Sequence, residues 1–175
     1  MYEHIIKSEH LDTDEFSYLE FGVCRGESFL YWMNNCKNTN SRFYGFDTFT
    51  GIPEDWGSVK AGSYSANGKI PETNDTRAQF EVGLFNDTLP PFLNKNDLKN
   101  RLIIHHDADL YSSTLYVLIA LYPKLKKNDV IIFDEFFSVT KADHEFRGFI
   151  DFLSICPLKF EPIAKAPNQF AIKIV

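Results

Sequence analysis

The stretch Tyr18-Leu-Glu-Phe-Gly-Val-Cys-Arg-Gly-Glu-Ser28 decides how the rest of the chain is read. An apolar run through Phe16, Tyr18, Leu19, Phe21 and Val23 carries a carboxylate at Glu20 and two glycines, Gly22 and Gly26. Phe29, Leu30, Trp32 and Met33 then follow at helical spacing. This is the order of a buried strand, a tight glycine turn and a helix N-terminus, as in the first βα unit of a nucleotide-binding fold. Two glycines near a strand end also occur in ordinary turns, so the downstream sequence must support the reading.

It does so by alternation. After a strand over about 16–22 and a helix over about 27–36, Arg42-Phe-Tyr-Gly-Phe-Asp47 reads as a second strand. Phe80-Glu-Val-Gly-Leu-Phe85 reads as a third, closed by a turn over Asn86–Pro91, and Leu102–His106 as a fourth. Leu115, Leu118, Ile119, Tyr122 and Leu125 mark a helix over 112–125. Val130–Phe133 is a continuous apolar run, suited to a strand buried on both faces of a parallel sheet. A helix over 146–153 and strands over 160–163 and 170–175 close the chain, and the short final connection requires those two strands to pair antiparallel. The expected fold is α/β and Rossmann-like, with a mostly parallel seven-stranded sheet, an antiparallel C-terminal strand and helices on both faces.

The 175 residues suffice for a single domain, 1–175, in which 1–15 form a short lead-in. Residues 48–79 are broken by Pro53, Gly57, Gly62, Gly68 and Pro71, the composition of a lid or substrate loop, with a short helix expected near 75–80. An apolar content of 44 % predicts a packed core. A net charge of −6 without a basic stripe excludes a nucleic-acid surface, because phosphates need cations to neutralise them. Cys24, Cys36 and Cys156 lack metal or redox spacing, no run is long enough to span a membrane, and no signal peptide is visible. A reduced, cytoplasmic protein without membrane contact is expected.

Four of the strands end in carboxylates: Glu20, Asp47, Asp107 and Asp134-Glu135. In an open parallel sheet, ligands bind beyond the carboxyl ends of the strands where the strand order reverses, so four acidic strand ends mark one rim as the site. Asp47 has the residue type that holds ribose hydroxyls at the end of a second strand, and equally the type that caps a turn.

The pattern resembles the class I S-adenosylmethionine-dependent methyltransferases and, more narrowly, the macrocin O-methyltransferase-like group. The resemblance rests on Glu20–Ser28, Tyr44-Gly-Phe-Asp-Thr-Phe-Thr-Gly-Ile-Pro53, Gly83–Pro90, Asp107-Ala-Asp-Leu-Tyr-Ser-Ser-Thr114 and Val130–Glu135, in family order. It implies a turn of Gly22, Cys24, Gly26 and Ser28 beneath the methionine part of S-adenosylmethionine, with Glu20 near the amino group. It further implies Asp47 on the ribose, and Phe85 and Asp87 on adenine; a core role for Phe85 and a capping role for Asp87 stay open. Asp107, Asp134 and Glu135 would hold Mg²⁺ against a hydroxylated small-molecule acceptor such as a sugar. Glu135 departs from the aspartate commoner there, and Asp109 suits a helix cap better than a ligand.

Asp107 is a catalytic candidate through the metal it would hold, and His144, after the fifth strand, is the candidate general base, a histidine suiting the task by its pKa. Catechol-type relatives place a lysine three residues beyond the first metal aspartate, and here that position is Leu110. His105 and His106 alternate, so at most one faces the site. The segment before the first strand is shorter than in family members, so the loop 48–79 or a second copy in a homodimer would cover the cofactor. Two rivals remain at this level. A nicotinamide-dependent oxidoreductase would want glycine where Cys24 stands, and a degenerate methyltransferase-like domain would bind without turnover.

Overall fold

The computed structural model describes residues 1–137 and 144–175. Its seven strands are β1 (Phe16–Phe21), β2 (Arg42–Asp47), β3 (Ala78–Val82), β4 (Arg101–His106), β5 (Val130–Phe133), β6 (Phe160–Lys165) and β7 (Phe170–Ile174). They form one sheet in the order β3-β2-β1-β4-β5-β7-β6. The first five are parallel, while β7 runs antiparallel to both β5 and β6. The strand order turns back between β1 and β4, and the carboxyl ends of these two strands frame the crevice expected at such a switch point.

The sheet is covered on both sides because its side chains alternate. Phe16 and Tyr18 face one layer, with Phe29, Trp32 and Met33 of α2 (Glu27–Asn35) and Ile5 and Ile6 of α1 (Tyr2–Ser8). Leu19 and Phe21 face the other, with Leu89 and Phe92 of α3 (Phe85–Lys95), Val117 and Leu118 of α4 (Tyr111–Leu121), and Phe149 and Phe152 of α5 (Glu145–Ile155). Among the described residues no helix is long and apolar enough to cross a membrane.

Three local expectations are corrected. The lead-in carries a helix, α1, whose apolar face is little more than Ile5 and Ile6 and which is stable only when docked on the sheet. No helix forms at 75–80: the Asp75 carboxylate accepts the Arg77 amide at 3.0 Å, making a turn, and β3 starts at Ala78. Finally, β3 ends at Val82, and Phe85 begins α3 rather than ending a strand. Pro90 and Pro91 lie inside α3 and remove two backbone donors, yet buried Leu89 and Phe92 anchor the helix there.

Between Asp47 and Ala78 the chain is a folded loop whose one ladder element is a bridge between Trp56 and Val59. Phe49, Trp56 and Ala66 are buried beneath it. The loop is seated on the glycine turn, for a β-carbon on Gly26 would lie 2.6 Å from the Pro71 ring.

Candidate active site

The crevice begins where β1 turns toward α2. Gly22 has φ +94°, and a β-carbon there would lie 1.9 Å from the Asp107 carbonyl oxygen. The amide of Asp107 donates to the Phe21 carbonyl at 2.9 Å, so the two strand ends stay paired up to the turn. Asp47 fixes the turn from the side of β2. Its Oδ2 accepts the amides of Val23 at 2.8 Å and Cys24 at 2.6 Å, and its Oδ1 accepts that of Phe49 at 2.7 Å. Three of its roughly four acceptor positions are thus used within the chain.

A cavity of about 520 Å³ opens over this turn. Gly22, Cys24 and Asp47 form its floor, Phe85 and Asn86 one wall, and Ser112, Ser113 and Tyr116 of α4 another. Ile52, Pro53, Glu54, Trp56 and Tyr64 roof it from the loop. Two contacts tie the roof down: Ser112 donates to Glu54 at 2.5 Å, and the Cys24 thiol donates to the Tyr64 carbonyl at 3.1 Å. Phe85 stands edge-on to Phe21, 5.3 Å between centroids. Asp87 lies outside the wall, exposed, and accepts from Asn86 at 3.2 Å.

Glu20 is wholly buried behind the turn, where it accepts from Tyr18 and, at 2.7 Å, from Ser28. Tyr18 and Glu20, two residues apart, share a face of β1, and the Tyr18 hydroxyl also meets His105 Nδ1 at 2.9 Å. His105 Nε2 meets the Tyr2 hydroxyl at 3.2 Å, so both ring nitrogens are engaged. Burial works against the imidazolium, but Asp134 and Glu20 outweigh it and push the pKa up to about 10. His106 points to the other side, stacked between Phe21 and Phe133 with neither nitrogen hydrogen bonded; burial drives its pKa down to about 3, and it is neutral.

Asp107 and Asp134 converge at the ends of β4 and β5. One ligand-type atom from each, with one from His105, fit within 4.8 Å of one another. Asp107 lies half-buried on the cavity wall and its carboxylate accepts no hydrogen bond among the described residues. Burial, then the charge of Asp134, raises its pKa well above the carboxylate range. Burial would raise Asp134 too, but His105, Gln169 and Tyr2 hold it below its usual value. Glu135 lies on the wall outside that trio, and its amide donates to Glu145 at 3.0 Å. Asp109 also lines the cavity, in a left-handed conformation.

His144 precedes α5, and its Nδ1 accepts the amide of Tyr111 at 3.1 Å. Its ring stands edge-on to Trp56, 6.0 Å between centroids. A neutral His144 making that bond carries its proton on Nε2. Sequence reasoning missed Tyr2, Tyr18, Glu54, Ser112 and Gln169. Of these only Tyr18 had a local signal, its spacing of two from Glu20 on one strand.

The profile of a methyltransferase domain family matches residues 19–136, about two thirds of the chain. No curated protein matches it in sequence. Among solved structures, the chain is similar to the calicheamicin methyltransferase CalS11, with 22 % identity and a TM-score of 0.74 over 96 % of this chain and 75 % of that one. The unliganded form of CalS11 is described as a TDP-rhamnose 3'-O-methyltransferase. The O-methyltransferase NovP gives 19 % identity and a TM-score of 0.68, over 98 % and 75 % of the two chains. A Mg-SAM form of CmcI gives 16 % and 0.64, over 99 % and 69 %. At these identities the likeness concerns the fold, and it extends over nearly the whole chain.

Proposed function

The chain belongs to the methyltransferase domain family, and from that premise we propose that it transfers the methyl group of S-adenosylmethionine to a hydroxyl of a sugar or similar natural-product-like molecule, assisted by a divalent cation such as Mg²⁺. One observation carries the reading: a single cavity joins the Gly22–Cys24 turn and Asp47 to Asp107 and Glu135. Cofactor-type and metal-type groups thereby face the same space. CalS11 favours a sugar acceptor, and the Mg-SAM form of CmcI favours the cation.

On this reading Gly22 leaves the turn bare for close approach of the cofactor, and Asp47 offers its remaining position on Oδ1 to a ribose hydroxyl. Phe85 and Asn86 face the adenine, with Asp87 beside them. Glu20 holds Ser28 and the start of α2 from behind and supplies a negative field for the amino group. Gly26 lets Pro71 close the loop onto the turn, and the Cys24 thiol ties Tyr64 to it.

The donor set fits a hard cation. Asp107 is half-buried with no donor to its carboxylate among the described residues, Asp134 receives its neutral donors on Oδ1 alone, and Glu135 shares the cavity wall with Asp107. His105 does not fit as a ligand, since both its nitrogens are held by tyrosines. S-adenosylmethionine supplies an electrophilic methyl group, and a bound divalent cation lowers the pKa of an acceptor hydroxyl and orients it. In this proposal Asp107 is an ionised ligand of the cation, whose charge offsets the burial and the Asp134 carboxylate that otherwise favour its protonated form. His144 keeps the start of α4 in place through Nδ1.

Calorimetric titration of the protein with S-adenosylmethionine, with Mg²⁺ and again with a chelator, tests the reading, with NAD⁺ as the comparison. Binding of S-adenosylmethionine and not NAD⁺, followed by methyl transfer to hydroxylated sugars that the chelator suppresses, is the expected result. Failure to bind S-adenosylmethionine would overturn it.

A further inference from the structure

Two donors from distant parts of the chain meet on one oxygen of Asp134. The Tyr2 hydroxyl, from α1, donates to Oδ1 at 2.9 Å, and Gln169 Nε2, from the turn before β7, donates to the same atom at 2.5 Å. Gln169 also donates to the Tyr2 hydroxyl at 3.2 Å, so the three groups form a closed triangle. Strand register dictates the encounter. Phe133 pairs with Phe170 across β5 and β7, which brings Gln169 opposite Asp134 and Asn168 opposite Glu135. Asn168 accordingly donates to Glu135 Oε2 at 3.4 Å and accepts the Phe137 amide at 3.0 Å. The β6–β7 turn therefore supplies one amide side chain to each of the two consecutive acidic residues.

A carboxylate ligand needs its orientation set as well as its charge. Both neutral donors hold Asp134 by Oδ1, Oδ2 accepts no hydrogen bond among the described residues, and the side chain remains 24 % accessible to a further partner. We propose that Gln169 and Tyr2 are positioning residues of the acidic site, holding Asp134 by Oδ1 so that Oδ2 faces the divalent cation. The proposal rests on the metal-assisted reading above. It assigns a role to the C-terminal hairpin turn and to α1, neither of which lines the cavity.

The test uses Mn²⁺ as the probe, its free concentration read by electron paramagnetic resonance on the intact protein saturated with S-adenosylhomocysteine. Gln169→Leu and Tyr2→Phe are each expected to weaken Mn²⁺ binding by roughly 10- to 100-fold, the usual effect of removing an outer partner of a ligand. Affinity for S-adenosylhomocysteine should stay within about threefold, since Gly22, Asp47 and Phe85 are untouched. The double variant should lose less than the product of the single losses, because both donors serve one oxygen. Tyr2→Phe removes only a hydroxyl and carries the test if Gln169→Leu does not fold. Unchanged Mn²⁺ affinity in the folded variants would overturn the proposal. A wild-type protein that binds S-adenosylhomocysteine but no Mn²⁺ would overturn it while leaving the methyltransferase reading intact; one that binds neither would overturn both.

Discussion

The carbonyl oxygen of Asp107 stands where a side chain on Gly22 would have to go, 1.9 Å from the position of a β-carbon. The two residues end neighbouring parallel strands at the point where the strand order reverses. The glycine turn and the first acidic residue of the site are therefore one structural unit, and neither can move without the other.

Gly22→Ala should consequently damage both stability and binding. The positive φ alone costs about 1–2 kcal/mol for a residue with a β-carbon, and the overlap with backbone at Asp107 adds to it, because backbone cannot swing aside as a side chain can. A loss of about 3 kcal/mol or more in chemical denaturation is expected. Affinity for S-adenosylhomocysteine should fall at least about tenfold, since the turn and the strand ends are forced apart. An unchanged denaturation midpoint would show that β1 and β4 are not held this closely.

Asp107→Ala should separate catalysis from stability. Burial and Asp134 disfavour the ionised carboxylate in the folded protein, so removing it relieves repulsion in the absence of a cation. The variant is expected to melt at the same temperature as wild type or higher. Binding of S-adenosylmethionine should persist, while methyl transfer falls by roughly 10²-fold or more with the loss of a cation ligand. Melting curves, calorimetry and a transfer assay on the same preparation check all three. Full activity would remove Asp107 from the mechanism.

Arg77 is a structural keystone outside the site. Its guanidinium donates to the carbonyls of Cys36 at 2.6 Å, Asn38 at 3.1 Å and Met33 at 3.0 Å, and it pairs with Asp75. It also lies 5.0 Å from the centroid of the Phe43 ring. It thus caps α2 and fixes the end of the long loop just before β3. Arg77→Ala should cost about 2–4 kcal/mol, given several charge-assisted bonds to partly buried carbonyls. Arg77→Lys should recover little, because an ammonium cannot span the fork of carbonyls and carboxylate. Denaturation of the two variants decides this, and near-complete rescue by lysine would contradict it.

The parts of the chain legible in sequence share a physical property: their information is local. The apolar runs of β1, β2, β4 and β5, with a carboxylate at the last position of β2, directly after β4 and β5, and one residue inside the end of β1, announce both the strands and the rim. Where the determinants are distant, sequence is silent. Gln169 and Asp134 meet across 35 positions and Tyr2 and Asp134 across 132, through strand register and helix docking that no short window encodes. In α3, Pro90 and Pro91 give a strong local turn signal that the burial of Leu89 and Phe92 overrides. Asp47 was legible as a polar strand end, but not as the acceptor of three loop amides, which depends on how Val23, Cys24 and Phe49 fold around it.

Asp129 gives a pH-dependent stability at the opposite end of the sheet, independent of the site. It is buried, its Oδ1 accepts the amide of Leu102 at 2.8 Å and its Oδ2 that of Lys126 at 2.9 Å. Burial outweighs these bonds and raises its pKa to about 6. An unfolded aspartate titrates near 3.9, so between about pH 4 and 6 the folded chain binds more protons than the unfolded one. Its contribution to stability therefore falls as pH rises through that window and levels off above it. Between pH 5 and 8 the change should be roughly 1.5 kcal/mol. Asp129→Asn removes the titration but can accept only one of the two amides without turning its own N–H₂ toward the other. The variant should start less stable than wild type at pH 5 and regain roughly 1.5 kcal/mol relative to it by pH 8. Urea denaturation of both proteins at the two pH values measures this. A stability difference that does not move with pH would mean that Asp129 stays ionised in the fold, held by its two amides against the cost of burial.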